Sequence, residues 1–179
     1  MKSVLISIRP KWTEKIANGE KTIEVRKTAP KEVPFKAYIY ETQGQYVKFT
    51  HGAHTKYGYG RGKVIGEFVC DKVEKLEEHI EQGGLYYILS DTFNEQAQLD
   101  NWELHDYGKG KTIYGWHISD LKIYDRPKEL SEFCIPCKVS CENCKNPLYF
   151  ECWCEEKGKK IVTRPPQSWC YVEDLGEEK

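Results

Sequence analysis

The chain is 179 residues long, enough for one domain with an elaboration and enough to bury a real core. Hydrophobic residues make up 39% and charged residues 31%, which excludes a disordered chain. The formal net charge of −1 excludes a strongly basic surface, and with it tight non-specific binding to duplex nucleic acid, whose affinity comes from many phosphate contacts. A local basic patch remains compatible with that balance.

In Ser3 to Ile8, Val4, Ile6 and Ile8 alternate with Leu5 and Ser7, the pattern of a short buried strand. The run is too short and too polar at its flanks for an export signal or a membrane span, so a cytoplasmic protein with no membrane partner is expected. In that compartment the 8 cysteines are expected to be reduced, which favours metal binding over a disulfide framework. Pro10 suits the first turn of a helix, Trp12 and Ile16 share one face of it, and Gly19 stops it. Lys21 to Lys27 predicts a second strand, with Ile23 and Val25 on one face and Thr22, Glu24 and Arg26 on the other.

Phe35 to Tyr40 predicts a third strand. Residues 43–62 show no internal periodicity and predict a long loop, functional or mobile. Lys63 to Val73 predicts a strand with Val64, Gly66, Phe68 and Cys70 on one face and Ile65, Glu67 and Val69 on the other. The stretch 74–107 is more helical, with a break at Gly83-Gly84 and an apolar stripe from Leu99, Trp102 and Tyr107. Thr112 to Ser119, Leu121 to Tyr124 and Trp169 to Val172 return to strand character. Two helical regions amid five or six strands, without a βαβ rhythm, predict an α+β fold built on a small closed or partly closed β-barrel.

The run Ser7-Ile8-Arg9-Pro10, a helix, and then Gly19, Lys21, Glu24 and Arg26 in a Gly-x-Lys-x-x-Glu-x-Arg segment resemble the ASCH domain family. Gly62 to Phe68 and Tyr114 to Leu121 are similar to two later strands of that family. The resemblance spans about residues 3–125 and implies a PUA-like β-barrel over residues 1–126 with flanking helices. The composition shifts after Pro127, and residues 127–179 are expected to form a Cys-rich, zinc-binding C-terminal insert and a closing strand packed on the same domain. Arg164 to Cys170 resembles a subgroup of bacterial and phage-borne members. The family is widely proposed to bind RNA. Some members resemble in fold an amidohydrolase that deacetylates acetylcytidine, and others are reported as ribonucleases.

Two cations and a carboxylate in Lys21, Glu24 and Arg26 can hold a phosphate, polarise a carbonyl or support acid–base work, or they can form a surface salt bridge. Glu67 is a candidate base or partner to Lys21 if its face is buried. If that face is open, it is an ordinary surface carboxylate. Were the chain an enzyme, the candidate catalytic residues are Lys21, Glu24 and Glu67. The amidohydrolase resemblance implies a Lys–Thr–Glu triad, in which Lys21 fills the lysine and Glu24 stands at the threonine position. Aromatics interleaved with cations in residues 43–62, Tyr57 and Tyr59 among them, suit base stacking and phosphate contact on single strands. The candidate ligand-binding set is Arg9, Lys21, Thr22, Glu24, Arg26, Tyr57, Tyr59, Trp116 and Ser119. Its expected partner is single-stranded RNA, a nucleotide or a nucleoside, by binding or by hydrolysis of modified nucleosides or RNA; a protein partner is the third option.

Residues 134–154 hold six of the 8 cysteines. Cys134-x-x-Cys137 and Cys141-x-x-Cys144 each have the spacing that puts two thiolates on one ion, and four thiolates make a closed structural zinc site. Cys152, Cys154 or Cys170 can substitute for one of the four.

Overall fold

The computed structural model describes residues 1–52, 54–81, 84–87, 89–90, 92–136 and 160–176. In chain order the elements are β1 (Lys2–Ile8), α1 (Pro10–Ala17), β2 (Ile23–Arg26), β3 (Phe35–Glu41), β4 (Gly44–His51), β5 (His54–Gly60), β6 (Lys63–Cys70) and β7 (Val73–Leu76). There follow β8 (Glu78–Glu81), β9 (Gly84–Tyr87), α2 (Phe93–Ala97), α3 (Asn101–Gly108), β10 (Ile113–His117) and β11 (Ser119–Lys128). A 3-10 turn, Leu130–Glu132, then leads to β12 (Cys134–Ile135), β13 (Lys160–Ile161) and β14 (Trp169–Val172).

The fold is mixed, with many strands and few helices. The larger sheet has the order β11-β6-β3-β1-β14 and the smaller one β2-β10-β7. Among the described residues the strands form these separate sheets, with three two-stranded ribbons, and do not close into one hydrogen-bonded cylinder. Strands β1 and β3 run parallel, with Leu5 opposite Tyr38; β14 pairs antiparallel with β1, with Leu5 opposite Cys170. The C-terminal strand is therefore an integral edge of the larger sheet.

Strand alternation sorts the core. Val4, Ile6 and Ile8 of β1 join Phe35, Ala37 and Ile39 of β3 and Trp116 of β10 between the two sheets. Phe35 and Trp116 meet edge to face with centroids 5.0 Å apart, both fully buried, each side chain contributing about 1.5–3 kcal/mol by burial. On the far side of the smaller sheet, Ile23, Val25 and Ile113 pack on Phe93 and Leu104 of the helices. Gly115 permits that approach, since a Cβ there would lie 2.6 Å from the Phe93 ring. The outer face of the larger sheet, with Leu5, Tyr38 and Val64, is covered by Phe133 and Val162.

Three expectations change. Residues 43–62 are not a loop but an antiparallel ribbon, β4 and β5, with Tyr46 opposite Gly58 and Val47 opposite Tyr57. The stretch after residue 74 opens with strands β7, β8 and β9 and turns helical only at Phe93. In β6 the register to β3 slips between Ile39 and Tyr40, which leaves Ile65 as an extra residue. The bulge reverses the alternation, so Ile65 joins Phe68 and Cys70 in the inner core while Val64 turns to the outer one.

Candidate functional site

Gly19 adopts φ +75°, a left-handed conformation that ends α1 and turns the chain, and the amides of Glu20 and Lys21 both close back on the Lys15 carbonyl. That turn delivers Lys21 to the entry of β2. Within β2, Ile23 and Val25 take the helix-facing side, so Glu24 and Arg26 must face the larger sheet, in register with Trp116 and Tyr114. Trp116 fills the space between the sheets. Glu24 and Arg26 sit beyond it, where β2 faces the end of β1.

The three charged residues are buried: Lys21 is 2% exposed, Glu24 5% and Arg26 8%. The Glu24 carboxylate bridges both cations, its Oε1 2.9 Å from Arg26 Nη2 and its Oε2 3.5 Å from Lys21 Nζ. Lys21 Nζ also donates to the Ala97 carbonyl at 2.5 Å, a group left unpaired at the end of α2, and lies 5.1 Å from the Trp12 ring centroid. Arg26 Nη2 donates to the Ser7 carbonyl at 2.6 Å. Burial pushes the Lys21 ammonium below the ordinary lysine pKa against the opposing pull of Glu24, and Arg26 and Lys15 add to the lowering. The triad carries one net positive charge.

The triad lines a cleft of about 1080 Å³ between β1, β2, α3 and the segment Pro165–Ser168. Five cations (Arg9, Lys21, Arg26, Lys27, Lys109) and three carboxylates (Glu24, Glu103, Asp106) line it, a local positive excess in a chain of net charge −1. Ser7 anchors the Pro165–Ser168 wall: its Oγ donates to the Pro166 carbonyl at 2.6 Å and its amide to the Ser168 carbonyl at 2.9 Å. Trp169 Nε1 donates to Thr28 Oγ1 at 3.0 Å just beyond. On the opposite wall Lys27 Nζ lies 5.1 Å from the Tyr107 ring centroid. Burial raises the Tyr107 phenol above its ordinary pKa although Arg26 lowers it, so the cleft presents a neutral hydroxyl there.

Of the residues expected from the sequence, Arg9, Lys21, Glu24 and Arg26 come together in this cleft. The others lie elsewhere. The Thr22 backbone is tied to Gln96 and Ile118, Trp116 is a fully buried core residue, and Ser119 Oγ donates to the Val69 carbonyl at 2.9 Å. Tyr57 and Tyr59 stand exposed on β5, outside the cleft lining. Glu67 stands opposite Tyr38, on the sheet face turned away from the inter-sheet core, and accepts a hydrogen bond from Tyr124 at 2.5 Å, so it does not reach Lys21. Sequence reading missed the α3 wall (Glu103, Asp106, Tyr107) and the Pro165–Ser168 wall. Asp100 three residues before Glu103 was the available signal: the two form a capping box that starts α3.

Cys134 lies on β12, whose pairing with β13 sets Cys134 opposite Ile161 and Ile135 opposite Lys160 as a stem, and the Cys134 carbonyl accepts the Glu173 amide at 2.9 Å. Cys170 is on β14. Cys137, Cys141, Cys144, Cys152 and Cys154 lie outside the described residues.

The ASCH domain family model matches residues 6–159. The chain belongs to the ASCH domain family. The match extends beyond the strands that carried the resemblance and includes most of the cysteine-rich segment. Among solved structures, the ASCH protein of Zymomonas mobilis is similar at 17% identity and a TM-score of 0.53, covering 96% of this chain and 88% of that one. A variant of that protein with tyrosine changed to phenylalanine is similar at 16% identity and a TM-score of 0.51, over 97% of this chain and 91% of that one. These likenesses show a shared ASCH fold. No functionally curated protein matches the chain.

Proposed function

We propose that this ASCH domain binds RNA or a nucleotide, with the acceptor groups of one nucleotide seated over the Lys21–Glu24–Arg26 triad. The observation that carries the reading is the buried, net-positive triad on the wall of a cleft of about 1080 Å³. Buried charges of this kind are retained where a site needs fixed donors, and a cleft with a local cationic excess concentrates an anionic ligand. The rim cations Arg9 and Lys27 are exposed and suited to phosphate contact. The charge-reversed double variant Arg9→Glu/Lys27→Glu therefore weakens binding of a single-stranded RNA hexamer by at least about tenfold. It also flattens the salt dependence, by about 0.7 in slope for each phosphate no longer neutralised. Equal affinity and slope in anisotropy titrations would remove these residues from the interface.

A second reading, hydrolysis of a modified nucleoside or of RNA, rests on the lowered pKa of Lys21, which brings an amine closer to acting as a base. Position 24 carries a carboxylate where the acetylcytidine amidohydrolase resemblance implies a hydroxyl, which favours binding over that reaction. Turnover of acetylcytidine or RNA that disappears in Lys21→Met supports hydrolysis; no turnover by the native chain ends it.

Apart from the cleft, we propose a structural zinc ion on Cys134, Cys137, Cys141 and Cys144, with Cys152, Cys154 or Cys170 as replacements. Its support is the double Cys-x-x-Cys spacing, with Cys134 held on the β12 stem beside the strand that carries Cys170.

A further inference from the structure

Trp102 is 82% exposed, although its place in the sequence suggests the apolar stripe of a helix. The rotation of α3 is set by other residues: Leu104 and Gly108 are buried, and a Cβ on Gly108 would collide with the Tyr87 hydroxyl. The helix start is fixed by the Asp100–Glu103 capping box, in which Glu103 N donates to Asp100 Oδ1 at 2.7 Å and Asp100 N to Glu103 Oε2 at 3.0 Å. Trp102 is thus held in solvent by a helix whose orientation is determined elsewhere. Trp102 is not itself part of the cleft lining, but Asp106, one turn on and next to it on the helix surface, is, so the indole borders that wall.

The surroundings of Trp102 indicate the chemistry of its partner. Asn101, Glu103 and Asp106 are exposed and polar, and His105 is half-buried against Glu78, its Nδ1 2.6 Å from Glu78 Oε1. Among the described residues beside it on α3 the ring has hydrophilic company, without the apolar surround that a protein hot spot uses to exclude water. It fits a planar, polar-edged group that stacks face to face, which is an unpaired base. We propose that Trp102 is a stacking platform for the base that flanks the nucleotide held in the cleft, so that the ligand is a single strand longer than one nucleotide. This rests on the cleft reading above and names its partner.

Calorimetric titrations of cytidine monophosphate and of a mixed-sequence single-stranded RNA hexamer into the native chain, Trp102→Ala, Trp102→Phe and Arg9→Glu/Lys27→Glu test it. Trp102→Ala is expected to weaken the hexamer about five- to 140-fold, the range for removal of one base stack. It leaves the mononucleotide within about twofold, and Trp102→Phe recovers most of the loss. Hexamer affinity unchanged in Trp102→Ala, with binding weakened at least about tenfold in the charge-reversed variant, overturns the stacking platform while the cleft reading stands. An equal loss for mononucleotide and hexamer also overturns it, since the ring would then serve the cleft itself. If the native chain binds neither ligand, the cleft reading fails and this inference fails with it.

Discussion

Glu24 holds two buried cations at once, and its removal would leave both without a counter-charge in a site that water hardly reaches. Breaking a buried pair from one side costs about 3–5 kcal/mol, because the remaining charge stays desolvated. Glu24→Ala is therefore expected to lose about that much stability in urea denaturation, whereas Lys21→Met loses less, since Glu24 keeps Arg26 and a methylene chain still fills the space. Equal losses would show that the carboxylate does not organise the triad. These residues were legible in the sequence because a strand puts i and i+2 on one face and Gly19 marks where the helix must stop. Trp102 and Tyr107 were not. The sequence pattern suggests one apolar stripe for both, but residues five apart lie about 140° from each other around a helix, so one ring must leave the face that the other lines.

At the scale of elements, local chemistry shows which segments pair but not always how. The ribbon β4–β5 looked like a loop because Gly, His and Lys interrupt its alternation; tertiary support comes from α1, where Glu14 accepts hydrogen bonds from Tyr46 at 2.6 Å and from Lys48. The bulge at Ile65 left no mark in the sequence, since Val64 and Ile65 are equally suited to either face, and it decided which of the two enters the inner core. The segment after β14 is tied down by Asp174, whose carboxylate accepts from Tyr38 at 2.6 Å, Lys36 at 3.0 Å and the Gly176 amide at 3.2 Å. Burial raises the Asp174 pKa, but the bonds from Tyr38, Lys36 and Gly176 outweigh it and hold the carboxyl below its ordinary value of 3.8. A depressed carboxyl pKa adds stability above the unfolded value, and that stability is lost as pH falls through the lower folded value. Asp174→Asn should lose about 1 kcal/mol at neutral pH, a figure kept small because the side chain is 36% exposed. It should also show a weaker loss of stability than the native chain as pH drops below about 4. Identical acid profiles would exclude Asp174 as the anchor.

For the molecule as a whole, composition and motif placed the fold in its family, and the strand-rich, helix-poor architecture followed. The division into two sheets did not, because it depends on which strands share hydrogen bonds across long separations, such as β1 with β14. That pairing makes the C-terminal strand part of the main sheet, and the segment just before it forms one wall of the cleft. The β12–β13 stem carries Cys134, the first of the four cysteines proposed to bind zinc. Metal analysis of protein purified under reducing conditions is expected to find about one zinc per chain. Less than about half an equivalent would contradict that assignment. No helix among the described residues is long and apolar enough to cross a membrane.

The proposed ligand enters between β1, β2, α3 and the Pro165–Ser168 wall. The most direct measurement is a backbone amide NMR titration of the native chain with a single-stranded RNA hexamer. The largest saturable shifts are expected on Ser7, Arg9, Glu24 to Thr28, Trp102 to Lys109 and Gln167 to Ser168, with the β4–β5 ribbon at Tyr57 and Tyr59 little changed. Shifts confined to that ribbon, or none anywhere at millimolar RNA, would contradict it.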